Sequence, residues 1–381
     1  MTELTAQPGP ERGAEPDPRL AAGPAHGSVA TEPGTEPLLR TERLTKHFKI
    51  GNALSQRTLH AVDDVSLSIG ERQIVALAGE SGSGKSTIAR LLAQIYKPTS
   101  GAIYFEGRPL SSIRSRADRL RYSGLVPMVF QDPFASINPV FRVSHGVMRG
   151  LKLHRPDLSK QERFAEAQHV FEVVGLTPAA DVLQRYTHEL SGGQRQRVGF
   201  AQALATRPKL ILADEPVSML DVSIRIGLLN LMVELRDSQG VSILYITHDL
   251  ASARYVADRL VIMYAAQIAE SGPVEDVLAS PRHPYTQLLL SAVPDPRAPL
   301  GVGAETDRGE PPKVIDPTPG CRFRARCPLA IEICHTVTPQ LKPIGVGHEA
   351  ACHVAQSGAE AVPIRATTLG PTQGTTPGPV H

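Results

Sequence analysis

The sequence GESGSGKST, from Gly79 to Thr87, decides the fold of this chain. It fits the pattern G-x-x-x-x-G-K-[S/T], which follows a buried strand and opens a helix in proteins that bind phosphates. Here it follows the apolar run QIVALA and precedes the helical pattern TIARLLAQIY. A glycine-rich turn between strand and helix is the alternative, but four constrained positions in the right context make a chance match rare. The stretch therefore predicts a phosphate-binding loop (P-loop).

The residue types of this loop suit a nucleotide and its metal ion. Glycines let successive backbone N–H groups converge on phosphate oxygens, and the loop ends at a helix N-terminus. Lys85 is predicted to reach the terminal phosphates, and the Ser86 hydroxyl to ligate Mg²⁺. The predicted contacts in the loop are Gly79, Ser81, Gly82, Ser83, Gly84, Lys85, Ser86 and Thr87.

The stretch LILADEP supplies two carboxylates at the end of a second predicted buried strand. Asp214 is predicted to hold the magnesium shell, and Glu215 to orient the attacking water as a catalytic residue. The alternative is that the acids merely cap the following helix.

Apolar runs such as KLILADEP and VSILYITHD alternate with longer amphipathic stretches, which predicts an α/β fold with a parallel sheet wrapped by helices. We predict a core domain over 39–290, with a helical subdomain at about 132–190. A small cysteine-containing domain follows over 291–354. Residues 1–38 and 355–381 are rich in Pro and Gly and are predicted to be disordered tails.

Composition limits the classes of function. The chain has 381 residues, 41% of them hydrophobic, and 40 Lys and Arg balance 38 Asp and Glu to a formal charge of +2. This balance argues against nucleic acid as the main partner. No apolar run approaches the ~20 residues of a membrane span, and the N-terminal stretch lacks the pattern of a signal peptide. We therefore expect a cytoplasmic protein.

The stretch ELSGGQRQRV, from Glu189 to Val198, lies between the two nucleotide motifs. The order of the motifs resembles that of an ATP-binding-cassette (ABC) ATPase, over Leu38 to about Cys352. The motifs are a P-loop, then LSGGQ, then the D-E strand, and then a histidine that closes the next strand. The resemblance implies a P-loop NTPase cassette with a RecA-like core sheet plus a helical subdomain. In this family, the P-loop of one subunit and the LSGGQ of another enclose ATP and Mg²⁺, so one chain holds half a site.

The same resemblance assigns further residues. Gln131 matches the Q-loop, which contributes to the metal shell and senses the membrane partner, and His248 matches the switch histidine at the γ-phosphate. Asp221 matches the loop that couples the two subunits. Phe48 is the candidate for stacking on adenine, with a core phenylalanine as the alternative. The LSGGQ residues expected at the γ-phosphate are Ser191, Gly192, Gly193 and Gln194.

Three further stretches, FQDPFASINPV, SPRHPYTQLLLSAVPDP and the cysteine-containing ending, resemble the oligopeptide/dipeptide (peptide/nickel) importer ATPases. The resemblance implies ATP hydrolysis coupled to peptide uptake, at the cytoplasmic face of the cell membrane. It implies two membrane permease subunits, a second ATPase subunit and an extracytoplasmic solute-binding protein as partners. The alternatives are a non-transport ABC ATPase that acts on nucleic acid or the ribosome with a zinc module, and a degenerate regulatory subunit.

All four cysteines lie in one short segment: Cys321, Cys327, Cys334 and Cys352. Structural disulfides are improbable in a reducing cytoplasm, whereas four thiolates suffice for a tetrahedral zinc site or an iron–sulfur cluster. Free buried thiols, or zinc with His348 or His353 replacing a thiolate, are alternatives.

The resemblance favours a 4Fe-4S cluster, because importer ATPases with this ending include members that hold one. Three arginines lie beside the first two cysteines and are expected to offset the negative charge of such a cluster. They are Arg322, Arg324 and Arg326. Because the segment is far in sequence from every nucleotide motif, we expect a structural clamp.

Overall fold

The computed structural model of the protein describes residues 36–52, 55–131, 138–292 and 313–358. The predicted α/β fold is confirmed, because helices and two sheets alternate along these residues. Most of both predicted tails lies outside the described residues, so their disorder stays a prediction. The division into domains also stays a prediction.

The larger sheet carries the core. Its eight strands lie in the order β12-β13-β11-β10-β4-β9-β8-β7, and the run from β10 to β7 is parallel. The strands are β4 (Ile74–Ala78), β7 (Met128–Val129), β8 (Leu210–Asp214), β9 (Ser242–Thr247), β10 (Arg259–Tyr264), β11 (Gln267–Pro273), β12 (Lys342–Gly345) and β13 (His348–Ala350).

The parallel strands are mainly apolar because both faces of the sheet are covered. Every residue of β4 is buried, and alternate side chains join different hydrophobic clusters. Ile74, Ala76 and Ala78 belong to one cluster, while Val75 and Leu77 belong to the other. Successive side chains of a strand point to opposite faces of its sheet, so this alternation is expected for a strand that lies between two hydrophobic layers.

The smaller sheet is antiparallel and pairs β2-β1-β5-β6, with β3 on β1. It places β2, the neighbour of β1, beside the P-loop, since a Cβ on Gly84 would lie 2.3 Å from the Ala61 carbonyl oxygen. The strands are β1 (Leu39–Ile50), β2 (Arg57–Val65), β3 (Ser68–Ile69), β5 (Ser100–Phe105) and β6 (Arg108–Pro109).

Twelve α-helices lie in the described part of the chain. They are α1 (Lys85–Leu92), α2 (Arg116–Leu125), α3 (Val143–His154), α4 (Lys160–Val173), α5 (Ala179–Gln184), α6 (Gly192–Leu204), α7 (Val222–Gln239), α8 (Leu250–Val256), α9 (Val274–Ala279), α10 (Pro284–Ser291), α11 (Ile333–Thr336) and α12 (His353–Gln356). No helix among these is long and apolar enough to cross a membrane.

The segment predicted to be a helical insertion contains α3, α4 and α5; its first residues, 132–137, lie outside the described part. Helix α4 begins with a capping box, in which the Ser159 hydroxyl accepts the Glu162 N–H and the Glu162 carboxylate accepts the Ser159 N–H. Phe171 on this helix is fully buried with Leu151 of α3, so the insertion has an apolar core.

The cysteine-containing segment joins the larger sheet. Strand β13 pairs antiparallel with β11, with Glu270 opposite Ala350. The fully buried Glu270 carboxylate accepts the Arg282 and His283 backbone N–H groups and lies 2.7 Å from His348 Nε2. This buried polar junction ties the segment to the loop before α10.

Candidate functional site

The P-loop connects β4 to α1 and needs glycine at both ends. Gly79 has φ +145° and Gly84 has φ +108°. A Cβ on Gly79 would lie 2.2 Å from the Met263 carbonyl oxygen, so a larger residue requires the backbone to move. Within the loop, Ser81 and Gly82 are exposed and Ser83 is buried, while Thr87 lies half-buried in α1.

Lys85 is buried with its ammonium directed at the loop backbone. Its Nζ donates to the carbonyl oxygens of Gly79 at 2.7 Å and Glu80 at 2.8 Å. Burial lowers the pKa of Lys85, while the carboxylates of Glu215, Asp214 and Glu80 act to raise that pKa. The loop therefore holds a cation against two of its own carbonyl oxygens.

Ser86 and Asp214 meet across the sheet. The Ser86 hydroxyl donates to Asp214 Oδ1 at 2.9 Å. Burial raises the pKa of Asp214, and the neighbouring Glu215 carboxylate raises it further. Hydroxyl and carboxylate oxygens are ligands that Mg²⁺ prefers, so the donor set fits this ion.

Two predicted residues, Gln131 and His248, converge on the Glu215 carboxylate. Gln131 Nε2 donates to Glu215 Oε2 at 3.1 Å, and His248 Nδ1 lies 3.3 Å from the same oxygen. Glu215, Gln131 and His248 follow β8, β7 and β9, and the carboxyl ends of parallel strands meet at one edge of a sheet. Glu215 has φ +47°, a left-handed conformation that is uncommon outside glycine and clusters at functional sites.

The LSGGQ residues form the start of α6. The Ser191 hydroxyl accepts the Gln194 N–H at 3.2 Å, and Gln194 Oε1 accepts the Ser191 N–H at 3.0 Å. A Cβ on Gly193 would lie 2.3 Å from Ile224 Cγ2, while Gly192 is exposed. Helix α6 also reaches the Q-loop, because Gln196 Nε2 donates to the Gln131 carbonyl oxygen at 3.0 Å.

Two predicted residues lie at the margins of this arrangement. Asp221 is exposed at the N-cap of α7 and makes no side-chain capping hydrogen bond. Phe48 is half-buried in β1, with its ring centroid 5.4 Å from that of Tyr96 and 4.9 Å from Lys46 Nζ. Both residues stay candidates.

Sequence reasoning missed a contact between the cysteine segment and the P-loop. Arg326 makes a two-bonded ion pair with Glu80, at 2.9 and 3.0 Å. The Glu80 backbone N–H donates to the Tyr285 hydroxyl at 3.0 Å, and Tyr285 lies in the HPYT stretch. The HPYT stretch was noted in the sequence, but the sequence did not indicate that it contacts Glu80.

The contacts of the three arginines therefore differ from the expectation that they offset the negative charge of a cluster. Arg322 pairs with Asp63 and also donates to the Ala265 carbonyl oxygen, and Arg326 pairs with Glu80. Arg324 donates to Thr318 Oγ1 at 2.9 Å and to the Cys321 carbonyl oxygen at 3.1 Å. Two of the three positive charges are matched by carboxylates of the nucleotide-binding core.

The four cysteines are free thiols that lie near one another. Burial, together with the other three thiols, raises the pKa of Cys327 to about 11. Burial likewise raises the pKa of Cys321 and Cys352. The Cys321 N–H donates to the Cys334 carbonyl oxygen at 2.8 Å, which brings the first and third cysteines together.

The choice between zinc and a larger metal group depends on where the cysteines lie and on whether His348 and His353 are free to bind a metal. Among the described residues, one set of three ligand atoms lies within 4.8 Å of one another, and it contains none of these cysteines. A tetrahedral zinc site with Zn–S of about 2.3 Å needs sulfurs about 3.8 Å apart. His348 is engaged by Glu270, and His353 Nε2 lies 2.9 Å from the Val337 carbonyl oxygen.

The set of three is His47, His60 and Asp63, at the junction of β1 and β2. Asp63 lies 3.0 Å from His60 Nδ1 and 3.4 Å from His47 Nε2. The Arg322 guanidinium already pairs with Asp63 and supplies the positive charge that a metal ion would bring.

Comparisons with known proteins agree with this geometry. The ABC transporter family model matches residues 62–218, and the model for the oligopeptide/dipeptide transporter C-terminal region matches residues 269–334. A putative peptide import ATP-binding protein of Brucella ovis is 42% identical over 316 residues, which cover 83% of this chain and 97% of the relative. The oligopeptide transport ATP-binding protein AppF of Bacillus subtilis is 40% identical over 329 residues, covering 85% and 99%.

Solved structures show the same fold. The dimeric cassette MJ0796 bound to ADP and Pi superposes with a TM-score of 0.55 at 26% identity, covering 62% of this chain and 98% of that one. CbiO1 from Clostridium perfringens, part of the transporter complex cbiONQ, gives a TM-score of 0.55 at 26% identity and covers 64% and 92%.

The fold and the site define an ABC-type ATP-binding cassette, so the chain is an ATPase of the P-loop class, as predicted. Within that class it belongs to the family of ATP-binding proteins of ABC transporters that carry the oligopeptide/dipeptide transporter C-terminal region. The predicted family and fold class are thereby confirmed.

Proposed function

We propose that this chain hydrolyses ATP to drive import of oligopeptides or dipeptides, as the ATPase subunit of a membrane complex. The observation that carries the proposal is the match of residues 269–334 to the oligopeptide/dipeptide transporter region. Relatives named for peptide import and oligopeptide transport, which align over more than 80% of this chain, support it. The alternative of an ATPase acting on nucleic acid has no such support.

The nucleotide chemistry follows from the residues at the strand ends. Lys85 and the P-loop N–H groups hold the β- and γ-phosphates of ATP, with Phe48 as the candidate for stacking on adenine. Ser86, Asp214 and Gln131 are the residues that would hold Mg²⁺, which neutralises charge on the phosphate oxygens when bound. Glu215 orients and polarises the attacking water in line with the γ-phosphate.

The convergence on Glu215 supports its catalytic role. Its Oε2 accepts a hydrogen bond from Gln131 and lies beside His248 Nδ1. A carboxylate held between these two partners has a fixed direction, which is what positioning a water requires. His248 is placed to sense the γ-phosphate beside that water.

The second half of the site comes from a second ATPase subunit, identical or related. Ser191, Gly192, Gly193 and Gln194 lie at the start of α6, where Ser191 and Gly192 are exposed. A helix N-terminus attracts the γ-phosphate of the facing subunit. Asp221, exposed at the N-cap of α7, is placed to couple the two subunits.

We propose that membrane permease subunits bind beside the Q-loop, at the cytoplasmic face, with a solute-binding protein on the other side. Val140 is 75% exposed and Phe141 is 44% exposed, directly before α3. Exposed large apolar side chains at one place mark a contact surface for an apolar partner. They lie close in sequence to Gln131, which donates a hydrogen bond to Glu215.

Membrane co-purification tests this proposal. We expect the tagged chain to capture two membrane subunits, and Val140→Asp to reduce that capture about tenfold because a charge enters an apolar contact. The matched control is Val346→Asp, since Val346 is 98% exposed in the hairpin between β12 and β13. Both variants should hydrolyse ATP equally when isolated. Capture of ribosomes or DNA instead of membrane subunits would reject the proposal.

We also propose that the four cysteines bind a 4Fe-4S cluster. The four thiols act on one another's titration, which supports one shared group, and the engagement of His348 by Glu270 disfavours a histidine in place of a thiolate. Such a cluster would hold Cys321, Cys327, Cys334 and Cys352 together as a structural clamp.

Anaerobic purification tests the cluster. We expect brown protein with broad absorbance in the blue and about four iron atoms per chain. Cys327→Ala should lose the iron and the colour, whereas His353→Ala should keep both. Colourless protein with one zinc ion, or with no metal, would contradict the proposal.

A further inference from the structure

Glu80 is the one acidic residue of the P-loop stretch from Gly79 to Thr87. Its carboxylate belongs to a loop that binds a polyanion, and a like charge nearby weakens phosphate binding. Glu80 is a direct neighbour of the Lys85 ammonium, because Lys85 Nζ lies 2.8 Å from the Glu80 carbonyl oxygen. The phosphates that Lys85 holds are therefore within reach of the same negative charge.

Arg326 matches this carboxylate with two parallel hydrogen bonds, Nη1 to Oε2 at 2.9 Å and Nη2 to Oε1 at 3.0 Å. Both side chains are largely buried, at 15% and 24% exposure, so solvent screens the pair only in part. Arg326 Nη1 also lies 3.4 Å from the Tyr264 hydroxyl. This two-bonded geometry fixes the direction of the Glu80 side chain.

The backbone of Glu80 connects the ion pair of Arg326 and Glu80 to the phosphate site. Its N–H donates to the Tyr285 hydroxyl, and its carbonyl oxygen accepts Lys85 Nζ at 2.8 Å. The residue is thus held at its amide, its carbonyl and its carboxylate by three different parts of the chain.

The cysteine segment positions Arg326 for this contact. Arg326 ends a short 3₁₀-helix, Arg324–Arg326, immediately before Cys327. Phe323, which begins this turn, is buried against Tyr264 and Tyr285, with ring centroids 5.2 and 5.5 Å away. This aromatic contact fixes the turn on the nucleotide-binding core.

We propose that Arg326 is a positioning residue of the nucleotide site, which neutralises Glu80 and holds its carboxylate away from the phosphates of ATP. The C-terminal segment thereby sets the affinity for ATP in the same chain. The inference rests on the proposed function only in placing ATP at the P-loop, and it holds whatever solute is transported.

Substitution of Arg326 tests the proposal in the full chain. Arg326→Gln should weaken binding of trinitrophenyl-ATP and raise KM for ATP about tenfold, while kcat changes less than about twofold, because an unmatched carboxylate repels the phosphates before and during the reaction. The increase should shrink at high salt. Arg324→Gln is the matched control, since Arg324 bonds to Thr318 and to backbone oxygens.

A second substitution separates charge from structure. Glu80→Gln added to Arg326→Gln should restore KM to within about twofold of the natural chain, because the repelling charge is gone. A purely structural contact predicts no such rescue and a lower thermal midpoint with a lower kcat. Unchanged KM in Arg326→Gln, or a double variant as impaired as the single one, would overturn the proposal. Loss of peptide import has no bearing on either result, so the two proposals fail independently.

Discussion

Lys85→Ala will bind ATP about thirtyfold to a thousandfold more weakly than the natural chain, and its ATP hydrolysis will be undetectable. Lys85 is the buried cation of the P-loop, and its Nζ lies within 2.8 Å of the Gly79 and Glu80 carbonyl oxygens. Removing a charge-assisted phosphate contact from a buried site costs about 2–4 kcal/mol. Without it, the β- and γ-phosphate charges face the carboxylates of Glu215, Asp214 and Glu80 uncompensated.

Titration with trinitrophenyl-ATP measures this effect. Because Lys85 also bonds to the loop backbone, Lys85→Met serves as a second variant that fills the same space without the charge. Lys152→Ala, an exposed lysine of α3, is the control and should bind ATP normally. Undiminished affinity in Lys85→Met would show that the loop does not hold phosphates as proposed.

Glu215→Gln will retain ATP binding and lower turnover by about a hundredfold to ten-thousandfold, the range of general-base catalysis. The amide is isosteric, keeps the same backbone conformation at φ +47°, and can still accept the hydrogen bond from Gln131 Nε2. It cannot polarise water as a carboxylate does. The variant should accumulate as a closed dimer with ATP.

Gel filtration with ATP and the natural partner chain measures the dimer, and phosphate release measures turnover. Glu234→Gln, at an exposed position of α7, removes a carboxylate remote from Glu215 and should behave as the natural chain. Full turnover in Glu215→Gln would show that Glu215 is not the catalytic residue. A monomer in ATP would count against a site shared between two subunits.

The P-loop, the D-E strand end and the histidine after β9 could be predicted from sequence because each is a local pattern with a fixed place at the end of a strand. Lys85, Asp214 and Glu215 then meet because parallel strands present their carboxyl ends at one edge. Gln131 and His248 converge on a single oxygen of Glu215. This could not be predicted, because it depends on the distances between three loops, and a local sequence pattern carries no information on such distances.

The contact between Arg326 and Glu80 could not be predicted, since the two residues are 246 positions apart. Arg326 was interpreted with Arg322 and Arg324 through its neighbours in sequence, the cysteines. In the folded chain, the aromatic contact of Phe323 with Tyr264 and Tyr285 turns the segment toward the P-loop instead. The distance in sequence between the cysteine segment and the nucleotide motifs therefore gave no sign of this contact.

Peptide uptake tests the central claim most directly. Proteoliposomes would contain the co-purified membrane subunits and this chain, with ATP inside and the solute-binding protein and a labelled mixture of di- and oligopeptides outside. We predict accumulation of labelled peptide that requires ATP hydrolysis, and none with Glu215→Gln in place of the natural chain. ATP hydrolysis without peptide uptake, or uptake that persists in Glu215→Gln, would contradict the account.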